Sequence, residues 1–328
     1  MINSQTDQTS QSAGSHSTLI ASMLSRSVMF SGLDQDSLMS LSEAFIPCTI
    51  SQGQYLFRQG DMGNFLALLT HGMLGVKISS DPSRQYDATL EPFEIIGEMT
   101  CLDPAPRSAS IVALTNAEVL ILDRASVDRL RKNAPEAYKI LLKSIWMRVA
   151  TRLRVTNEAI SMYTPPTGEA TFKRREEQQR PITFKGLLAL GESDTLKLFT
   201  EKEIDLMCSI ARKRFYPNGS IICREGDIAK TAYIIAKGEM SVYRDLGRQR
   251  YELGRLGQGE LFGQLALLEH RRRSATIEAQ GDAVIIELNS QDFDRLIQSN
   301  TPFALRFQEY VTIASIRQLR AADQRYVG

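Results

Sequence analysis

What this sequence lacks narrows its chemistry before any motif is read. Its four cysteines, Cys48, Cys101, Cys208 and Cys223, form no CxxC pair and no dense framework, which argues against a zinc site and a disulfide-stapled secreted domain. They read as reduced thiols of a cytoplasmic protein. Histidine is scarcer still: His16, His71 and His270 are too scattered to supply the converging imidazoles of a metal-dependent enzyme on a β-roll. No Ser/His/Asp or Cys/His set is visible either, so neither a catalytic residue nor a metal or cofactor is expected. Long apolar runs are missing too, because Phe65–Val76 is broken by Thr70, His71 and Gly72 and falls short of the ~20 residues that span a bilayer. With 39 Lys+Arg against 38 Asp+Glu, the net charge of +1 provides no field to draw in nucleic acid or an acidic membrane. The opening residues have neither the basic start nor the apolar stretch of a signal peptide, and 1–18 reads as a disordered polar tail.

What the chain has instead is a copy of itself. A length of 328 residues suggests two domains, and self-similarity supports this. Gln59–Asp61 (QGD) recurs as Glu225–Asp227 (EGD), and Gly53, Gly72 and Gly97 recur as Gly219, Gly238 and Gly263. Arg107-Ser108-Ala109 recurs as Arg273-Ser274-Ala275, and Val127–Leu130 as Phe293–Leu296, all at an offset of 166 with no gap. This predicts one domain over 19–160, a linker over 161–183 rich in Pro, Gly and mixed charge, and a second domain over 184–328. The KRREE run in that linker reads as a solvated segment.

Each copy opens with a helical pattern, Leu38, Leu41 and Phe45 or Ile204, Met207 and Ala211, spaced three and then four apart. Short β-branched or alternating segments follow: Tyr55–Phe57, Phe65–Leu69, Leu74–Ile78 and Ile111–Ala113, then Tyr233–Ile235, Met240–Tyr243 and Ala283–Leu288. Many short strands with glycine turns predict a closed or sandwiched antiparallel architecture. A longer helix ends each copy, marked by Leu141, Ile145, Val149 and Leu153 and, less regularly, by Phe307, Val311, Ile316 and Leu319. These stripes read as core, or as a seam through which a homodimer could form.

The chemistry concentrates at Ile96–Ser110 and Phe262–Thr276, each reading Gly, a polar residue, a short apolar run, then Arg-Ser-Ala. Glycine lets the backbone approach a ligand, and a helical turn starting after it aims N–H groups at an anion. The arginine ten residues on can fork onto a phosphate. Glu98 beside a phosphate makes sense facing a hydroxyl, and a ribose 2′-OH is the obvious donor. In the second stretch Gln264 stands at that position, which exchanges a charge-assisted bond of about 1.5–3 kcal/mol for a neutral one of about 0.5–1.5 kcal/mol. A weaker or differently selective second site follows. His270–Arg273 (HRRR) is a basic cluster without interleaved aromatics, so nucleic acid is not expected as a partner.

At these residues the sequence resembles the cyclic nucleotide-binding domain family, to which catabolite activator proteins and protein kinase A regulatory subunits belong. The resemblance implies a mainly β fold with flanking helices: two tandem double-stranded β-helix (jelly-roll) domains, each followed by a long C-terminal helix. It implies a ligand, cAMP or cGMP with cAMP favoured, and two sites. The first comprises Gly97, Glu98, Met99, Thr100, Arg107, Ser108 and Ala109. The second comprises Phe262, Gly263, Gln264, Leu265, Ala266, Arg273, Ser274 and Ala275. Glu98 would accept from the ribose, while Arg107 and Arg273 would pair with the cyclic phosphate. Ile96 stands where the family more often has Phe. With Ala321–Gly328 following the second long helix, no DNA-binding domain is expected. The expected output is therefore a ligand-gated shift of the terminal helices read by an unidentified effector protein, the alternative being an interaction scaffold with one or both sites degenerate.

Overall fold

In the computed structural model, which describes residues 6–78, 88–170 and 196–327, the chain divides into two compact units, Met1–Ile145 and Trp146–Gly328. The first unit opens with α1 (Thr6–Ser25) and α2 (Gln35–Ser42). Its strands are β1 (Ile46–Ile50), β2 (Tyr55–Phe57), β3 (Met62–Gly63), β4 (Phe65–His71), β5 (Leu74–Lys77), β6 (Ala88–Leu90) and β7 (Ile95–Ile96). After α3 (Glu98–Leu102) come β8 (Ala105–Pro106), β9 (Ser110–Ala113), β10 (Ala117–Asp123), α4 (Arg124–Asn133) and α5 (Pro135–Tyr163). Two antiparallel sheets of order β1-β10-β4-β7 and β2-β9-β5-β6, plus the β3-β8 pair, make the roll. Its interior is apolar, with Ile50, Leu69, Leu74, Ile96, Ile111 and Val119 all buried, each contributing about 1.5–3 kcal/mol.

The second unit repeats this plan. Its elements are β11 (Gly168–Glu169), α6 (Glu201–Ile210), β12 (Arg212–Tyr216), β13 (Ile221–Cys223), β14 (Thr231–Leu246), β15 (Gln249–Leu256) and β16 (Leu261–Phe262). Then follow α7 (Gln264–Leu268), β17 (Thr276–Asn289), α8 (Ser290–Gln298) and α9 (Pro302–Val327). Where two strands were expected at Tyr233–Ile235 and Met240–Tyr243, β14 runs on as one, its register shifting around Lys237. Glycine is still required at the bend. Gly238 has φ 98°, and a Cβ there would come within 2.9 Å of the Asp282 carbonyl oxygen, as one at Gly72 would come within 2.4 Å of that of Asn116.

The repeat extends to hydrogen bonds. In the first unit the Gly60 N–H donates to the Arg107 carbonyl at 3.0 Å and the Arg107 N–H to that of Asp61 at 2.8 Å. In the second, Gly226, Arg273 and Asp227 do the same at 2.9 and 2.9 Å. The duplicated GD turn thus grips the peptide unit that carries each arginine. Helix starts repeat as well, through different residues: Asp34 and Thr200 cap α2 and α6, Asp123 and Asn289 cap α4 and α8, each side chain accepting an N–H of the first turn.

Three sequence expectations are corrected. Residues from Thr6 onward are helical rather than a disordered tail, and Ile20, Ala21 and Leu24 on α1 are buried. The compact units part inside α5, between Ile145 and Trp146, rather than at 160/161, since Trp146 joins the core of Phe307, Tyr310 and Val311. Within the expected linker, Gly168–Glu169 forms a strand paired with Gln249–Arg250; Lys173–Glu177 and the remainder to 183 lie outside the described residues. The stripe Leu141, Ile145, Val149 and Leu153 is buried on α5.

Burial pushes the Cys101 thiol from its ordinary 9.0 up to about 12 and the Cys223 thiol up to about 11. A thiol whose folded pKa is raised favours the native state below its unfolded value, and that contribution is lost as pH climbs through the folded value. Stability should therefore hold up to about pH 9 and fall between about pH 9 and 12, read as the urea midpoint. A Cys101→Ala chain should show a shallower decline, and a flat midpoint in the unmodified chain across that range would contradict the assignment.

Candidate functional site

In the first unit β7 delivers Gly97 in the left-handed region, φ 73°, and α3 starts directly after it. Unlike α2 and α4, α3 has no side-chain cap on its N-terminus. Arg107 comes in from the end of β8 and is 4% exposed. Its Nη1 donates to the Thr100 hydroxyl at 2.6 Å and the Gly97 carbonyl at 3.5 Å, and its Nη2 to the Phe65 carbonyl at 3.0 Å. The guanidinium carbon lies 3.9 Å from the Phe57 ring centroid and 4.4 Å from that of Phe65, a cation–π setting. Burial pushes its pKa down to about 10, opposed by Cys101, Glu98 and Asp61, so the side chain stays cationic at neutral pH.

Glu98, Met99 and Thr100 are buried on α3, Ala109 is half-buried and Ser108 is exposed. The structure brings Gly97 and Thr100 of the expected seven onto the Arg107 side chain. The sequence did not reveal the Thr100 hydroxyl as a ligand of Arg107, nor the two phenylalanine faces. Gly63 was missed as well; a Cβ there would sit 2.6 Å from the Arg107 Nε.

The second unit reproduces the arginine and alters its neighbours. Arg273 is 6% exposed, donating from Nη1 to the Gly263 carbonyl at 2.7 Å and from Nη2 to that of Thr231 at 2.6 Å. Thr231 occupies the position of Phe65, so the same carbonyl of each roll holds the arginine. Ala266 replaces Thr100, and the aromatic neighbour is Tyr233, 5.5 Å from the guanidinium and stacked on Phe262 at 4.8 Å. α7 also begins on an uncapped glycine, Gly263, φ 77°.

Gln264 is fully buried, and its nitrogen faces α9. Gln318 Nε2 donates to the Leu261 carbonyl at 2.6 Å, which turns its oxygen toward Gln264 Nε2 at 3.1 Å. Ser315 accepts from the same nitrogen at 3.3 Å while donating to the Val311 carbonyl. These bonds fix which end of the amide is which, leaving Gln264 Oε1 buried without a partner on a residue that, with Arg273, lines a pocket. All eight expected second-site residues line it, together with Leu153 and Asn157 from α5 and Gln318, Ala321 and Ala322 from α9. The helix contributions carried no sequence signal. Among the described residues no group of His, Cys, Asp and Glu is placed to hold a metal, and no helix is long and apolar enough to cross a membrane.

A family model described as the cyclic nucleotide-binding domain matches residues 47–134 and again 213–300. The chain is 26% identical over 271 residues to the "cAMP-dependent protein kinase type II regulatory subunit" of Drosophila melanogaster, across 82% of this chain and 59% of that protein. It is 38% identical over 98 residues to the "Cyclic AMP receptor protein" of Thermus thermophilus, across 30% of this chain and 45% of that protein. The chain thus spans less than two thirds of the length of these relatives. Among solved structures, a cyclic nucleotide-binding domain from Methylobacillus flagellatus aligns at 25% identity and a TM-score of 0.40, covering 47% of this chain and 86% of that one.

Gly97→Ala should place a Cβ 2.2 Å from Arg107 Nη1, beyond the left-handed backbone cost of about 1–2 kcal/mol. Gly53→Ala, φ 81° with nothing within 4 Å of its Cβ, should carry the backbone cost alone. Urea denaturation is expected to show Gly97→Ala as the more destabilising change by about 1 kcal/mol or more; equal losses would remove the collision from the account.

Proposed function

The chain belongs to the cyclic nucleotide-binding domain family, and on that premise we propose that it is a receptor for a cyclic nucleotide, cAMP above cGMP. One observation carries this. In each unit an arginine is buried against two backbone carbonyls, those of Gly97 and Phe65 or of Gly263 and Thr231, beside a helix start without a side-chain cap. A guanidinium has five N–H donors. Among the described residues three of Arg107's are engaged, which leaves Nε–H and one Nη2–H for a phosphate oxygen pair. Glu98, buried at 5% exposure and close enough to influence the Arg107 charge, supplies the acceptor for a ribose hydroxyl.

In this reading Gly97, Met99, Thr100, Ser108 and Ala109 complete the first site, and Phe262, Gly263, Gln264, Leu265, Ala266, Arg273, Ser274 and Ala275 form the second. The terminal helices pass the binding signal to an effector protein. The Drosophila relative is a kinase regulatory subunit, which supports a protein kinase as the effector class and a binding rather than catalytic role. A second reading, a scaffold with a degenerate second site, draws support from the engagement of Gln264 with α9.

Titration calorimetry of the full chain with cAMP and cGMP, repeated on Arg107→Ala and Arg273→Ala, tests both. Each substitution should weaken one binding event about tenfold or more, as loss of charge-assisted bonds requires, with the Arg107 site the tighter. No heat from either nucleotide at high micromolar concentration would refute the receptor reading; heat unaffected by Arg273→Ala would favour the degenerate second site.

A further inference from the structure

We propose that Asn157 is the base-reading side chain of the second pocket, an inference that rests on the receptor reading. The pocket has two chemically distinct ends. Arg273 and Ser274 form the polar end with Gln264, whereas Val242, Leu253 and Leu256 from β14 and β15 make an apolar wall. Gly254 lies in that wall, and a Cβ built there meets nothing within 4 Å, so a flat ring has room beside the sheet.

Asn157 closes the pocket together with Leu153. One helical turn apart, the two side chains project from one face of α5. Asn157 is only 8% exposed, yet among the described residues its carboxamide has no hydrogen-bond partner; the Ser161 hydroxyl donates to its backbone carbonyl. A carboxamide sealed to this degree normally finds partners in its own protein. Asn157 lines this pocket, and so does Gln264, whose Oε1 is buried without a partner. The second pocket thus presents two unmet requirements: a donor near the anion end, which a ribose hydroxyl meets, and a paired donor and acceptor near the apolar wall.

The edge of a nucleobase meets the second requirement. Asparagine pairs in bidentate fashion with the N6 and N7 edge of adenine. A carboxylate at the same position would instead accept from the N1–H and N2–H₂ donors of guanine and lose the N7 contact. The wall and Arg273 do not discriminate between purines, so the choice falls to residue 157.

The test uses the full chain carrying Arg107→Ala, or Arg107→Lys should the alanine variant fail to melt cooperatively, so that heat reports the second pocket. Abolition of that heat by Arg273→Ala confirms its source. In this background Asn157→Ala should weaken cAMP about tenfold, a bidentate base contact being worth about 1–3 kcal/mol. Asn157→Asp should invert the ratio of cAMP to cGMP affinity. If the second pocket binds and both variants leave that ratio unchanged, Asn157 does not read the base while the receptor reading survives. If the pocket binds neither nucleotide, the receptor reading of this site fails and the role of Asn157 falls with it.

Discussion

A buried guanidinium satisfied by main-chain oxygens is the constraint around which each roll is organised. An arginine in an apolar interior is costly unless its donors are met. Here the oxygens come from the start of the cassette helix and the start of a central strand. The glycine before each cassette helix is required twice over, by a left-handed φ and by the closeness of the arginine. The GD turn then clamps the arginine's own peptide unit. Apart from this arrangement the two copies diverge freely: Thr100 against Ala266, Glu98 against Gln264, an aspartate or asparagine cap at the same helix start.

Much of this was legible in the sequence, for a definable reason. Local motifs carry local geometry. Gly97 and Arg107 stand ten residues apart, so one short segment encodes the helix start and the returning arginine, and a second copy at constant offset removes the risk of coincidence. The helical stripes of α2, α5 and α6 were readable from spacing. What remained hidden depends on contacts across long stretches of chain. Gln318 and Ser315 look like ordinary polar positions on α9 until Gln264, about fifty residues earlier, is seen to donate to both. Leu153 and Asn157 belong to the helix that ends the first copy, yet they line a pocket whose other walls begin at Cys223. α1 was missed because its polar composition conceals the few apolar side chains that seat it.

The same contrast explains where the strand boundaries went astray. Gly238 was read as a turn that separates two strands, and in the first copy its counterpart Gly72 does lie between β4 and β5. In the second copy the backbone bends at this glycine without leaving the ladder, absorbing the change as shifts of register against β17. Glycine permits both outcomes; the cross-strand partners decide between them.

Replacement of Glu98 by Gln264 at the matched position carries a mechanical consequence beyond the loss of charge. The carboxamide is planar and its two ends cannot swing independently. In the second pocket the nitrogen is pinned to Ser315 and Gln318, and Gln318 is pinned in turn to the peptide just ahead of the cassette. Any occupant that engages the oxygen therefore pulls on one arm of a rigid lever whose other arm is already fastened to α9. A carboxylate, which has nothing to donate, could not be fastened in this way.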